Sequence, residues 1–182
     1  MREVTSFYTE KELNKIGFKS FGKNVFISRK ASIYSPKTIS IGNNVRIDDF
    51  CILSGNIDIG SNIHISAYCA LYGSKGIFIK DFSGMSPRCI VFSASDDFGG
   101  DFLIGPVHPP QFTNVCGGPV IINSYVQLGA NTTVMPNLEI GEGAVTGVFT
   151  LVRKSLPPWT INIGIPAKKL RDRSKGLLDK LY

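Results

Sequence analysis

The sequence predicts an all-β solenoid, and three observations carry that prediction. First, an apolar residue returns every six positions: Phe21, Ile27, Ile33, then Ile41, Ile47, Leu53, then Ile59, Ile65, Leu71, then Ile79, Met85, Val91. After an interruption the series resumes with Ile122, Leu128, Val134 and Ile140, Thr146, Val152, and only Thr146 of these eighteen is polar. Six is neither a helical period nor the two-residue period of a strand, so the pattern reads as a repeat architecture. Three hexads make one eighteen-residue turn of a triangular coil, with one apolar residue pointing inward from each face. Second, the fourth residue after each second-face apolar position is small: Ala31, Cys51, Cys69, Cys89, Thr132 and Thr150. Coils of a parallel β-solenoid stack about 4.8 Å apart, so these residues form one inward ladder. Third, Asn and Gly fill the corners, as at Gly42, Asn43, Asn44, Gly60, Asn62, Gly129 and Asn131, where tight or left-handed backbone is needed.

The elements follow in chain order. In residues 1–20, Thr9 and Glu12 have capping-box spacing, and Leu13 and Ile16 make a short apolar stripe, which predicts a short helix covering the open first coil. Residues 21–156 carry about six coils, interrupted by a loop over 96–119. That stretch is too rich in Gly and Pro for a core strand, and a long loop projecting from a compact repeat commonly carries function. Pro157, Pro158 and Trp159 then break the pattern. In the tail over 157–182, Leu170, Leu177, Leu178 and Leu181 predict a capping helix.

Composition excludes several classes. No long apolar run suits a membrane span, and the start MREVTSFYTEKEL lacks the apolar core of a signal peptide, so a cytoplasmic location is expected. Three of the four cysteines fall in the inward ladder, 18 and 20 residues apart with no histidine at zinc-ligand spacing, and read as buried thiols rather than metal ligands. The net charge of +6 is gathered in the tail, from Arg153 and Lys154 through Lys168, Lys169, Arg171, Arg173, Lys175 and Lys180. Such a cluster could hold phosphates or solvate a tail. No aromatic interleaving or recognised module supports nucleic-acid binding.

The hexads, the single loop and the run SLPPWTINIGIPAKKLRDR together resemble the hexapeptide-repeat acyltransferases. The nearest likeness is to the galactoside and maltose O-acetyltransferase branch and related enzymes of surface-polysaccharide synthesis, over about residues 39–173. The resemblance implies a left-handed parallel β-helix, a homotrimer, active sites in the grooves between subunits, and acetyl-CoA as donor without a metal. It places Gly129 and Ala130 along the pantetheine arm, with Gly147 and Val148 one coil later. It matches Arg153, Lys154, Lys168 and Arg171 to basic positions near the adenosine phosphates.

One position departs from the family. Where relatives carry a histidine as general base just before the loop, this chain has Asp96, in FSASDD. A carboxylate ordinarily loses its proton far below the pH at which a base for a sugar hydroxyl works. Either the base has moved, or the acceptor needs little help, or the chain is not an active acetyltransferase. Only two histidines exist, His64 and His108. His64 ends its hexad pointing outward, where the resemblance places an acceptor contact. The most economical arrangement pairs His64 as base with Asp96 across a subunit interface, the carboxylate fixing the imidazole. Ser66, Ser74, Asp97 and His108 are the candidate acceptor contacts, and Gln127 stands where many relatives have tryptophan.

The leading expectation is acetyl transfer from acetyl-CoA to a sugar hydroxyl, with the oxyanion held by a backbone amide such as that of Ala130. The alternative acceptor is the amino group of a nucleotide-linked sugar. A free amine is already nucleophilic, so the missing histidine would matter less. A solenoid scaffold predicts a regular outer face and no loop, neither of which holds. A zinc enzyme on this solenoid would need three histidine ligands, and a sugar nucleotidyltransferase would need a further domain.

Overall fold

Most hexads yield a strand of two or three residues closed by a turn, whereas Ile52–Ile59 and Ala70–Ile79 run unbroken from one face into the next; the Ile and Val that recur in them suit extended backbone. In the computed structural model, which describes residues 6–180, these strands stack in parallel into three faces. The first face runs through Ser20–Phe21, Ile39–Ile41, Val120–Ile122 and Leu138–Ile140 by way of residues 57–59 and 77–79. The second carries Val25–Ile27, Val45–Ile47, Ile63–Ile65, Gly84–Met85, Gln127–Leu128, Val145–Thr146 and Thr160–Ile163. The third carries Ser32–Tyr34, Ile90–Phe92, Thr133–Val134 and Leu151–Val152 with residues 52–54 and 70–72. There are six complete coils and the start of a seventh.

The register is the six-residue series itself: Ile41 pairs with Ile59, Ile65 with Met85, Val91 with Val134. All eighteen series residues but Phe21 and Ile33 are buried, and those two belong to the exposed first coil. Each buried Ile, Leu or Val contributes roughly 1.5–3 kcal/mol, so stability is spread along the axis. The polar exception is satisfied: Thr146 Oγ1 bonds Thr132 Oγ1 at 2.8 Å and accepts the Gly129 N–H at 3.0 Å.

The small ladder does more than fill space. Cys51 Sγ donates to the Ser66 carbonyl at 3.1 Å, Cys69 to that of Ser86 at 3.2 Å and Cys89 to that of Gly129 at 3.1 Å. Thr132 continues the series to the Gly147 carbonyl at 3.4 Å, and Thr150 bonds that carbonyl from within its own coil at 2.9 Å. Each of these donors thus holds a corner between the second and third faces. Contact with the Cys69 thiol, and then burial, push the Cys51 thiol up, which keeps it a protonated donor.

The N-terminal helix forms as expected over Glu10–Ile16, with the Thr9–Glu12 capping box in place and Leu13 buried on the first coil. The excursion begins slightly earlier than the sequence indicates, because Ala94–Asp96 and Val115–Gly117 pair as an antiparallel hairpin. The C-terminal capping helix does not form. Thr160–Ile163 and Lys168–Asp172 make an antiparallel hairpin instead, followed by one 3-10 turn at Leu178–Lys180; Leu181 lies outside the described residues. The reason is an unused strand edge: the last coil offers its second face to Thr160–Ile163, and pairing satisfies backbone groups that a helix would leave bare. Trp159, the chain's single tryptophan, stacks on Tyr125, with Arg173 lying over it. No helix among the described residues is long and apolar enough to cross a membrane.

Two predictions follow from these caps. Gly143 has φ +65°, and a Cβ there would lie 2.5 Å from the Trp159 ring. Gly143→Ala is therefore expected to cost roughly 1–3 kcal/mol through overpacking and to shift the Trp159 emission; urea melts read by fluorescence check both. Glu12 is held at about 2, below its ordinary 4.5, first by hydrogen bonding from Arg29 and then by Thr9. A lowered folded-state value gives stability that is full above 4.5 and is lost as pH falls toward 2. Thermal melts of Glu12→Gln should show a weaker acid dependence than wild type within that window.

Candidate active site

The corner between the second and third faces stacks Asp48, Ser66, Ser86, Gly129 and Gly147, one per coil. Gly129 and Gly147, which the resemblance places along the pantetheine arm, have their N–H groups taken, by Thr146 and by the Asn162 carbonyl. The glycines answer a different need: a Cβ on Gly129 would lie 2.6 Å from Gly147, and one on Gly147 would lie 2.8 Å from Ile163 Cγ2. The next residues do present donors. Among the described residues nothing accepts from the N–H of Ala130 or Val148, so two outward amides stand one coil, about 4.8 Å, apart. Such a track can hydrogen-bond an extended chain containing amides, or a developing oxyanion.

Past the far end of the third face, Arg153, Lys154, Pro166, Ala167 and Lys168 line a cleft of about 420 Å³. The C-terminal hairpin makes one wall, since the Ala167 N–H donates to the Leu151 carbonyl at 2.8 Å. Three cations converge there, as a phosphate group requires. Arg171 does not line this cleft: it is exposed further along the hairpin, its guanidinium near the Asp172 carbonyl at 3.5 Å.

The hairpin before the loop carries Asp96, in a hollow of about 260 Å³ with Ala94, Ser95, Gly105, Pro106, Thr113 and Val115. Asp97 is engaged differently. Its carboxylate accepts from the Gly99 N–H at 2.8 Å and from Asn114 Nδ2 at 3.0 Å, and these bonds, in that order, hold it below the usual carboxylate range. Asp97 therefore pins the loop. His108 is half-buried in the loop, and Ser74 is exposed between the third and first faces.

His64 and Asp96, expected to pair across a subunit interface, leave the coil on different sides of this chain. His64 points outward from the second face, and its Nε2 lies 2.7 Å from Asp48 Oδ2. Arg46 Nε donates to the other Asp48 oxygen at 2.7 Å. Burial alone would raise the Asp48 carboxyl; the bonds from Arg46 and His64 outweigh it and lower it. The sequence reading missed Asp48 and Ser86, although both share Ser66's corner, one coil to either side. Gln127 was noted without a role; its Nε2 donates to Ser86 Oγ at 3.2 Å. The ladder spacing was the signal that could have found all three. Among the described residues no group of His, Cys, Asp and Glu is arranged to hold a metal.

No protein-family model matches the chain, but individual relatives match over nearly its whole length. The dTDP-4-amino-4,6-dideoxy-D-glucose acyltransferase of Escherichia coli is 41% identical over 177 residues, covering 96% of this chain and 92% of the relative. Among solved structures, AntD, an N-acyltransferase from Bacillus cereus in complex with dTDP and 3-hydroxybutyryl-CoA, superposes with a TM-score of 0.95 at 52% identity, covering 97% of this chain and 95% of that one. Other AntD structures carry substitutions at a serine and at an aspartate ten positions further along. A galactoside acetyltransferase with coenzyme A shares the fold, with a TM-score of 0.60 at 20% identity over 95% of this chain and 72% of its own. The six-residue period, the triangular coils it builds and these full-length likenesses agree: this chain belongs to the hexapeptide-repeat acyltransferases, enzymes built on a left-handed parallel β-helix.

Proposed function

We propose that this chain transfers an acyl group from a CoA thioester to the amino group of a dTDP-linked 4-amino-4,6-dideoxy sugar. The observation that carries this reading is the full-length likeness to two acyltransferases whose names or ligands include dTDP or its amino sugar. The likeness to the galactoside acetyltransferase is of the fold alone, and that to an O-acetyltransferase covers only 39% of this chain, so N-acylation takes precedence over the O-acetylation expected from sequence. The same choice accounts for the missing histidine: an unprotonated amine attacks without a strong base.

In this reading the cleft at Arg153, Lys154 and Lys168 takes the CoA phosphates, and the free N–H groups of Ala130 and Val148 take the pantetheine amides and the thioester oxygen. Ser86 and Asp96 are the one serine–aspartate pair in the sequence ten positions apart, the spacing of the residues substituted in AntD. Asp96 accepts a hydrogen bond from the sugar's amino group and stabilises the positive charge that grows as the C–N bond forms. Ser86 donates to the thioester oxygen. Ser86 stands at the corner between the second and third faces, whereas the Asp96 hairpin leaves from the corner between the third and first. A complete site therefore calls for more than one copy, which fits the homotrimer that the family resemblance implies. Apolar side chains left in solvent support that packing, Val107 at 85% and Phe98 at 72% exposure among them.

Release of CoA thiol with dTDP-4-amino-4,6-dideoxyglucose is the direct test; release only with hydroxyl acceptors would overturn the reading. Asp96→Asn should lower kcat by about 10²-fold or more, the scale of one charge partner lost to the transition state, while the fold is kept. Lys168→Ala and Arg153→Ala should each raise the KM for the CoA thioester by about tenfold, corresponding to about 1.4 kcal/mol, and leave the KM for the sugar alone.

A further inference from the structure

Gln127 stands in an unusual place for a surface glutamine. It faces outward on the second face, directly beside Gly84 in the neighbouring coil. A Cβ on Gly84 would lie 2.5 Å from Gln127 Oε1, so only a glycine there lets the amide fold flat against the coil. The amide orientation is chemically decided. Gln127 Nε2 lies 3.3 Å from the Leu128 carbonyl oxygen, an acceptor only, and 3.2 Å from Ser86 Oγ. The nitrogen must therefore be the atom facing both, and Ser86 receives an N–H.

Ser86 is fixed on its other sides. Its N–H donates to the Leu128 carbonyl at 2.9 Å, and its carbonyl accepts from Cys69 Sγ at 3.2 Å. A serine oxygen has one proton and two lone pairs. With one lone pair turned to Gln127, the proton occupies one of the two remaining staggered positions. Among the described residues no acceptor takes that proton. Ser86 itself is half-buried, at the corner that continues into Gly129 and Ala130.

We propose that Gln127 is a positioning residue: by donating to Ser86 Oγ it turns the serine hydroxyl into a donor aimed at the thioester carbonyl oxygen. This rests on the role given to Ser86 above. In the step it serves, the amine nitrogen forms the new C–N bond while the carbonyl π electrons move onto oxygen. That oxygen accepts the Ser86 hydrogen bond. As the carbonyl re-forms the C–S bond breaks, and the departing CoA sulfur takes the proton lost by the amine.

Gln127→Glu separates orientation from packing, because a carboxylate of the same shape accepts where the amide donates. It would capture the Ser86 proton and remove the donor from the thioester. Removing one oxyanion donor costs about 10²–10³ in kcat, so Gln127→Glu and Ser86→Ala should show losses of that order with little change in the KM for CoA thioester. The double variant should be no slower than Ser86→Ala alone, the non-additivity expected of residues acting as a unit. Gln127→Met, which removes the donor without adding an acceptor, should lose activity less steeply, and it serves if the Glu variant fails to fold. Wild-type kcat in Gln127→Glu, or losses that multiply in the double variant, would overturn the proposal while leaving Ser86 its role. Wild-type kcat in Ser86→Ala would overturn both.

Discussion

Everything distinctive in this molecule depends on one stacking constraint. Coils laid about 4.8 Å apart force each inward residue onto its counterpart in the next coil, so a side chain is chosen for what lies above and below it. The ladder of Cys51, Cys69, Cys89 and Thr132 shows the consequence, since each donates to the corner carbonyl of the following coil. Backbone that would be loose at a turn is held, coil after coil, by a buried donor. The corner bearing Ser66, Ser86, Gly129 and Gly147 is rigid for this reason, and its outward side is free for chemistry.

Rigidity of that kind explains how so few side chains suffice. The outward N–H groups of Ala130 and Val148 are backbone groups, oriented before any ligand arrives, and preorganised dipoles are worth most where they need not reorganise. Glycine serves the same end by leaving no room for a side chain: at Gly129 and Gly147 it lets coils close, and at Gly84 it lets Gln127 lie flat over its neighbour. The cationic cleft is assembled differently. Arg153 and Lys154 come from the last full coil, whereas Lys168 comes from a hairpin that closes the coil stack. A segment expected to cap the coils as a helix thus forms, as a hairpin, one wall of a candidate binding site.

The charged groups divide by the same logic. Asp97 and Asp48 are both occupied within the chain, one holding the loop and the other joining Arg46 to His64. Asp96, one residue from Asp97, lines an open hollow instead. Two adjacent aspartates therefore have separate tasks, and the antiparallel pairing of Asp96 with Val115 sends their side chains to different sides.

Register, core and corners were legible in the sequence because inward and outward positions alternate by a fixed count, which makes six-residue periodicity a direct record of packing. The inward cysteines, the outward His64, the N-terminal capping box and the tail cations of the cleft were all readable in that way. The ladder spacing brings Asp48 and Ser86 to one corner, but it does not say which outward side chains then bond across coils. Gln127 with Ser86 and the terminal hairpin in place of a helix depend on which groups come to lie in adjacent coils. For Gln127 and Ser86 that depends on the residues inserted between their coils: the step from Ile41 to Ile59 is 18 residues, but that from Met85 to Leu128 spans the whole loop. The period alone determined the architecture, since burial repeats with the chain. Only the tertiary structure decided the site, since hydrogen bonds form between neighbours in space, and a solenoid makes neighbours of residues a whole coil apart.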